Sequence, residues 1–132
     1  MRILIVENNP VDATIAKNIL ESLNYQNIII TDRGKEAIKL ASTLRFDLVI
    51  LGTDLSDLSE IEVCHQLRAM YPDKYTPIIA YTAFEEEIKP DILKASFDDF
   101  LFKLTGLDDF TRVIENVMLK NQLPKKFTEL LT

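Results

Sequence analysis

Five short apolar runs, separated by stretches of helical periodicity, limit what this chain can become. Arg2-Ile3-Leu4-Ile5-Val6, Ile28-Ile29-Ile30, Phe46-Asp47-Leu48-Val49-Ile50-Leu51, Pro77-Ile78-Ile79-Ala80-Tyr81 and Phe100-Leu101-Phe102 are nearly continuous in apolar residues. Strands covered on both faces read this way. After the first run, Asn9-Pro10 offers an N-cap and a first-turn proline. Val11, Ile15, Ile19, Leu20 and Leu23 then fall on one helical face. A second helix from about Gly34 to Leu44 is predicted to bury Ala37, Ile38, Ala41 and Leu44. Ser59 with Glu62 makes a capping box for a third, whose apolar face carries Ile61, Cys64 and Leu67. A weaker helix is expected between Glu85 and Ala95. Leu107, Phe110, Val113, Ile114 and Val117 mark a closing helix.

Strands alternating with helices predict a parallel sheet with helices on both faces and right-handed crossovers. The expected class is α/β, a flavodoxin-like three-layer (βα)5 sandwich whose five strands run in the order 2-1-3-4-5. Its crevice lies at the carboxyl ends of strands one and three. A length of 132 residues suits one domain with one core, assigned to residues 1–120, with 121–132 as a tail. No apolar run approaches the ~20 residues that span a membrane, and the early strand does not suit a signal peptide. Cys64 is the only cysteine, so an intramolecular disulfide is excluded, in keeping with a reducing, cytoplasmic setting. A net charge of −6 argues against nucleic-acid binding, which needs clustered Lys and Arg.

The strand ends supply the crevice: Glu7-Asn8-Asn9, Gly52-Thr53-Asp54, Thr82-Ala83 and Lys103. Four segments in order and at matching spacing carry a family resemblance. They are Ile3 to Asn9, Asp47 to Gly52, Pro77 to Ala83 and Asp98 to Lys103. Over residues 1–120 the chain resembles the receiver domains of two-component response regulators. The resemblance implies an acidic pair for Mg²⁺ at Glu7 and Asn8 and a phosphate-accepting aspartate at position 52. It also implies a phosphate-binding hydroxyl at Thr82, a neutralising lysine at Lys103 and an aromatic switch at Phe100.

Against that pattern the chain departs at several points. Gly52 brings no side chain to the acceptor position. Glu7 is the one carboxylate of the acidic pair, and Asn8 offers a neutral oxygen, a poor cage for a cation that prefers hard anionic oxygens. Glu7 and Lys103 are therefore expected to pair with each other, with the Mg²⁺ site lost and no cofactor held. Leu104 stands where the family has a proline after a cis bond. A cis bond costs ~3 kcal/mol without proline, so the Lys103–Leu104 bond is expected to be trans. Pro90 should shorten the fourth helix, with Glu85, Glu86 and Glu87 ahead of its positive end.

Asp54 is the candidate substitute acceptor, but a turn aspartate more often bonds its own backbone, and Asp57 reads as a loop residue. Thr82 more simply bonds the crevice backbone. Phe100 is core or switch. His65 is a surface residue without a second metal ligand, and Cys64 a buried thiol. Three functions compete. One is a phosphorylation-independent receiver that docks a protein partner through its fourth helix, fifth strand and closing helix, with a homodimer as one form. A second is a working phosphoacceptor using Asp54. The third is a crevice recruited to bind a small anion through Lys103 and backbone N–H groups. Leu123, Phe127, Leu130 and Leu131 in the tail suit a coupling helix or a frayed end. No output domain is legible.

Overall fold

In the computed structural model, which describes residues 1–70, 76–83, 97–103 and 105–122, the apolar runs are five parallel strands. They are β1 (Arg2–Val6), β2 (Asn27–Thr31), β3 (Leu48–Gly52), β4 (Ile78–Thr82) and β5 (Asp99–Phe102). Their order is β2-β1-β3-β4-β5, the doubly wound arrangement expected from the alternation. Four helices are described: α1 (Pro10–Ser22), α2 (Gly34–Thr43), α3 (Glu60–Met70) and the closing helix α4 (Leu107–Gln122). The expected helix at 85–95, the Lys103–Leu104 bond and the tail leucines lie outside the described residues.

Strand alternation splits the interior into two cores, one on each face of the sheet. Ile3, Ile5, Leu48, Ile50, Ile79, Tyr81 and Leu101 face α1 and α4, where they meet Ala16, Leu20, Phe110 and Ile114. Leu4, Val6, Val49, Leu51 and Ile78 face α2 and α3, where they meet Ala37, Ala41, Val63, Cys64 and Leu67. Each buried Leu, Ile or Phe side chain contributes about 1.5–3 kcal/mol relative to exposure, so neither face could be left bare.

The helix faces differ in part from the sequence reading. On α1 the buried residues are Ala13, Ala16 and Leu20, while Val11 and Ile15 are exposed. Alanines let the helix lie close to β1, and this turns the bulkier Val11 and Ile15 outward. Ile38 on α2 and Leu44 at its C-cap are only partly covered. On α3, Val63 joins Cys64 and Leu67 in the core while Ile61 lies at its margin. On α4, Leu107 opens the helix in an exposed position, and Met118 fills the core beside Val117.

Caps fix the loops that frame the crevice. Asn9 Oδ1 accepts from the backbone N–H of Val11 at 2.9 Å and of Asp12 at 3.2 Å, which sets the start of α1. Ser59 Oγ accepts from Glu62 N at 3.2 Å. Asp57, read from sequence as a plain loop residue, instead ties the β3–α3 loop to the start of α2. Its carboxylate accepts from Gly34 N at 2.8 Å, Lys35 N at 2.9 Å and Leu58 N at 3.0 Å. These bonds, that from Lys35 foremost, hold its pKa below the ordinary carboxylate value.

Candidate functional site

The register decides which side chains meet at the carboxyl end of the sheet. Val6 pairs with Leu51 and Gly52 with Tyr81. Ile5, Ile50, Tyr81 and Leu101 all face α1 and α4, so a period of two places Glu7, Gly52 and Lys103 on that same side. The backbone confirms the join: Glu7 N donates to Thr31 O at 2.9 Å, and Lys103 N donates to Thr82 O at 2.8 Å.

At the centre is a buried charge cluster. Lys103 Nζ lies 2.8 Å from Glu7 Oε1 and 3.2 Å from Asp12 Oδ2. Side-chain exposure is 12% for Lys103, 3% for Glu7 and 24% for Asp12. The Glu7 contact is a close pair of opposite charges. Glu7 Oε2 accepts from Asn9 N at 2.8 Å, so both carboxylate oxygens have a close positive or N–H neighbour. The ammonium also sits 5.4 Å from the centre of the Tyr81 ring, within cation–π range. The Tyr81 hydroxyl donates to the Asp12 carbonyl at 3.3 Å, and its ring meets Phe110 edge-on at 6.4 Å.

The electrostatics follow from these neighbours. Desolvation pulls the Lys103 ammonium down, but Glu7 and then Asp12 more than offset it, and its pKa ends above the ordinary lysine value. Burial first, then the charges of Asp12 and Glu7, push the Tyr81 phenol well up. The buried Cys64 thiol is raised to about 11, chiefly by desolvation.

Gly52 closes the cluster. Its position is fully inside the sheet, and no described glycine has a positive φ. Its backbone would therefore suit any residue. Space is the constraint: a Cβ at 52 would lie 2.7 Å from Glu7 Oε1, 3.0 Å from the Val6 carbonyl oxygen and 3.3 Å from Glu7 Cδ. The other sequence candidates stand around it. Thr82 is fully buried at the end of β4. Asn8 and Asp54 are exposed. Phe100 is half-buried on β5, its ring tilted against Phe97 at 6.1 Å. His65 is exposed on α3. Sequence reasoning missed Asp12 and Tyr81. The Asn9-Pro10 start signal could have flagged Asp12, because it fixes the first turn of α1 at the crevice.

The model of the response regulator receiver domain matches residues 3–115. The chain belongs to the response regulator receiver family. It is 28% identical over 116 residues to the aerobic respiration control sensor protein ArcB of Escherichia coli, covering 87% of this chain and 15% of that protein. It is 29% identical over 130 residues to the alkaline phosphatase synthesis transcriptional regulatory protein PhoP of Bacillus subtilis, covering 98% of this chain and 53% of that protein. This receiver thus spans about half or less of these relatives. Among solved structures, the receiver domain of a Pseudomonas aeruginosa sensor histidine kinase superposes with a TM-score of 0.78 at 28% identity, covering 89% of this chain and 96% of that one. That structure has a magnesium ion coordinated in its active site cleft. The receiver fold and a place in two-component signalling are thereby established. Among the described residues no helix is long and apolar enough to cross a membrane.

Proposed function

We propose that this receiver is a phosphorylation-independent regulatory module that passes its signal by docking a protein partner. One observation carries the reading. At the end of β3, where an acceptor side chain would begin, stands Gly52, and the Glu7 carboxylate fills the space beside it. Ordinary receivers shift between two states because phosphate contacts favour one of them, and a ligand shifts a population only through differential contacts. With no carboxylate at 52, the position that receives the phosphoryl group in the family brings no acceptor atom.

The donor set also suits Mg²⁺ poorly. Glu7 is taken up by Lys103 and Asn9 N, Asn8 is neutral and exposed, and Gly52 supplies no oxygen from a side chain. Among the described residues no group of three or more His, Cys, Asp or Glu is placed to hold a metal. Mg²⁺ asks for near-octahedral hard oxygens, so the reading includes no cofactor. Against Asp54 as a substitute acceptor, its side chain is exposed beyond the end of β3. Against a small-anion site, Lys103 already carries two carboxylates, and the local excess of negative charge repels a further anion.

The partner surface we assign is β5 with α4 and the segment before β5, in a cytoplasmic setting. On α4 the exposed Arg112 and Asp109 pair at 2.6 Å. Incubation with a small phosphodonor and Mg²⁺, followed by intact mass, tests the reading. An unmodified chain supports it. A stoichiometric adduct that Asp54→Asn removes would transfer the role to Asp54.

A further inference from the structure

Gly52 is not a mere deletion of a reactive group. Nothing in its backbone demands glycine, and a glycine within a strand ordinarily weakens it. What crowds a side chain there is chiefly its neighbour: Glu7 Oε1 lies 2.7 Å from where a Cβ would stand and Glu7 Cδ 3.3 Å, with the Val6 carbonyl oxygen at 3.0 Å. That same Glu7 oxygen is the one held 2.8 Å from Lys103. The volume of the missing side chain and the carboxylate that binds the lysine are therefore one volume.

We infer that Glu7 stands in for the absent acceptor carboxylate, and that residues 7 and 52 form one coupled unit in which glycine at 52 is what admits Glu7 to Lys103. Asp12, from the first turn of α1, is the second anchor of the same ammonium at 3.2 Å, and Tyr81 supports both through its hydroxyl and its ring face. Lys103 follows directly on β5, so the tie joins the end of β5 to β1 and α1 from within. In this protein the arrangement of β5 is set by an internal carboxylate, not by an arriving phosphoryl group. The inference rests on the docking reading for its meaning, since it names what holds the docking face in one state. Its physical content is separate.

The far end of Glu7 is flexible in principle, so the coupling makes a definite claim. A methyl group at 52 must push Glu7 off Lys103 or strain against it. The test is Gly52→Ala, made both in the wild-type chain and in a Glu7→Asp background, where the carboxylate is one methylene further back. Two properties are read: the side-chain NMR resonances of Lys103 and the urea midpoint. Gly52→Ala is expected to shift the Lys103 Hε and Nζ resonances and to lower the midpoint in the wild type. In the Glu7→Asp background the same substitution should lower the midpoint distinctly less. A Gly52→Ala chain that folds only with Glu7→Asp present supports the coupling equally. Unmoved Lys103 resonances, or an equal loss in both backgrounds, would overturn it, because a purely local effect of glycine would not reach the lysine. None of these outcomes depends on phosphoryl transfer, so an adduct on the wild-type chain would defeat the docking reading without deciding this one.

Discussion

Two ion-pair clusters, one partly and one more deeply buried at its core, sit at opposite ends of the sheet, and they are built differently. At the amino end of β4, Arg68 pairs with Asp98 at 2.7 Å, and each is also bonded to backbone. Asp98 Oδ2 accepts from Ile78 N at 2.6 Å, and Arg68 donates to the Thr76 carbonyl. This pair staples the chain ahead of β4 and β5 to α3. At the carboxyl end, Lys103 faces two carboxylates and an aromatic ring. There one positive charge is shared between two negative ones, with Lys103 and Glu7 more deeply buried than the first pair and Asp12 at the margin. The first cluster resembles a fastening, with backbone groups as partners. The second has the composition of a reaction site whose charges have turned to each other. Burial alone does not separate the two. What the charges bond to does.

The largest effect that would sharpen this contrast is expected at the carboxyl end. Lys103→Met strands the buried Glu7 carboxylate and the partly exposed Asp12 and should cost about 3–5 kcal/mol, the usual penalty for removing one partner of a buried pair. The double change Glu7→Gln with Lys103→Met should recover much of it in urea denaturation. If the single variant matched the wild type, the cluster would be ornamental. Arg68→Ala should cost less, about 1–3 kcal/mol, because both partners are partly open to water and Asp98 keeps the Ile78 amide. Equal costs at the two ends would erase the comparison.

The pH dependence follows in sign from the same cluster. Lys103 has a raised pKa in the folded chain, so its stabilising contribution is fully present below the ordinary lysine value of 10.5. It is lost as pH rises through the higher folded value. Alkaline unfolding should therefore shift to lower pH in Glu7→Gln, while Arg68→Ala leaves the alkaline limb in place. Asp57 works in the opposite sense: its lowered pKa gives a contribution present above the ordinary 3.8 and lost as pH falls. Asp57→Ala should remove hydrogen-exchange protection at the Gly34 and Lys35 amides, with a small loss of midpoint. Smallest of all, Asp54→Asn should change neither stability nor mass after phosphodonor treatment.

The sheet was legible because the inner strands β1, β3 and β4 are buried on both faces and write themselves as apolar runs, and the partly exposed β2 and β5 keep enough apolar residues to be recognised. The α1 face was misread for a related reason. Its core contacts are made by Ala13 and Ala16, which weigh little in any hydrophobic pattern, while Val11 and Ile15 weigh much and lie outside. At the site, Glu7, Gly52, Thr82 and Lys103 could be placed by position because strand ends converge by topology. Asp12 is easily passed over, since an acidic residue in a first helical turn already has an explanation in the helix dipole, although the Asn9-Pro10 start places it at the crevice. Tyr81 was hidden inside its own strand. The 2.7 Å conflict between Glu7 and a side chain at 52 is a matter of distance between strands, which no linear reading contains.

The central claim is that this receiver has no phosphoryl acceptor. Intact mass spectrometry of the wild-type chain, after saturating treatment with a small phosphodonor and Mg²⁺, tests it most directly. A single peak at the unmodified mass is the predicted result. A stoichiometric phosphoryl adduct, labile as an acyl phosphate is, would contradict it.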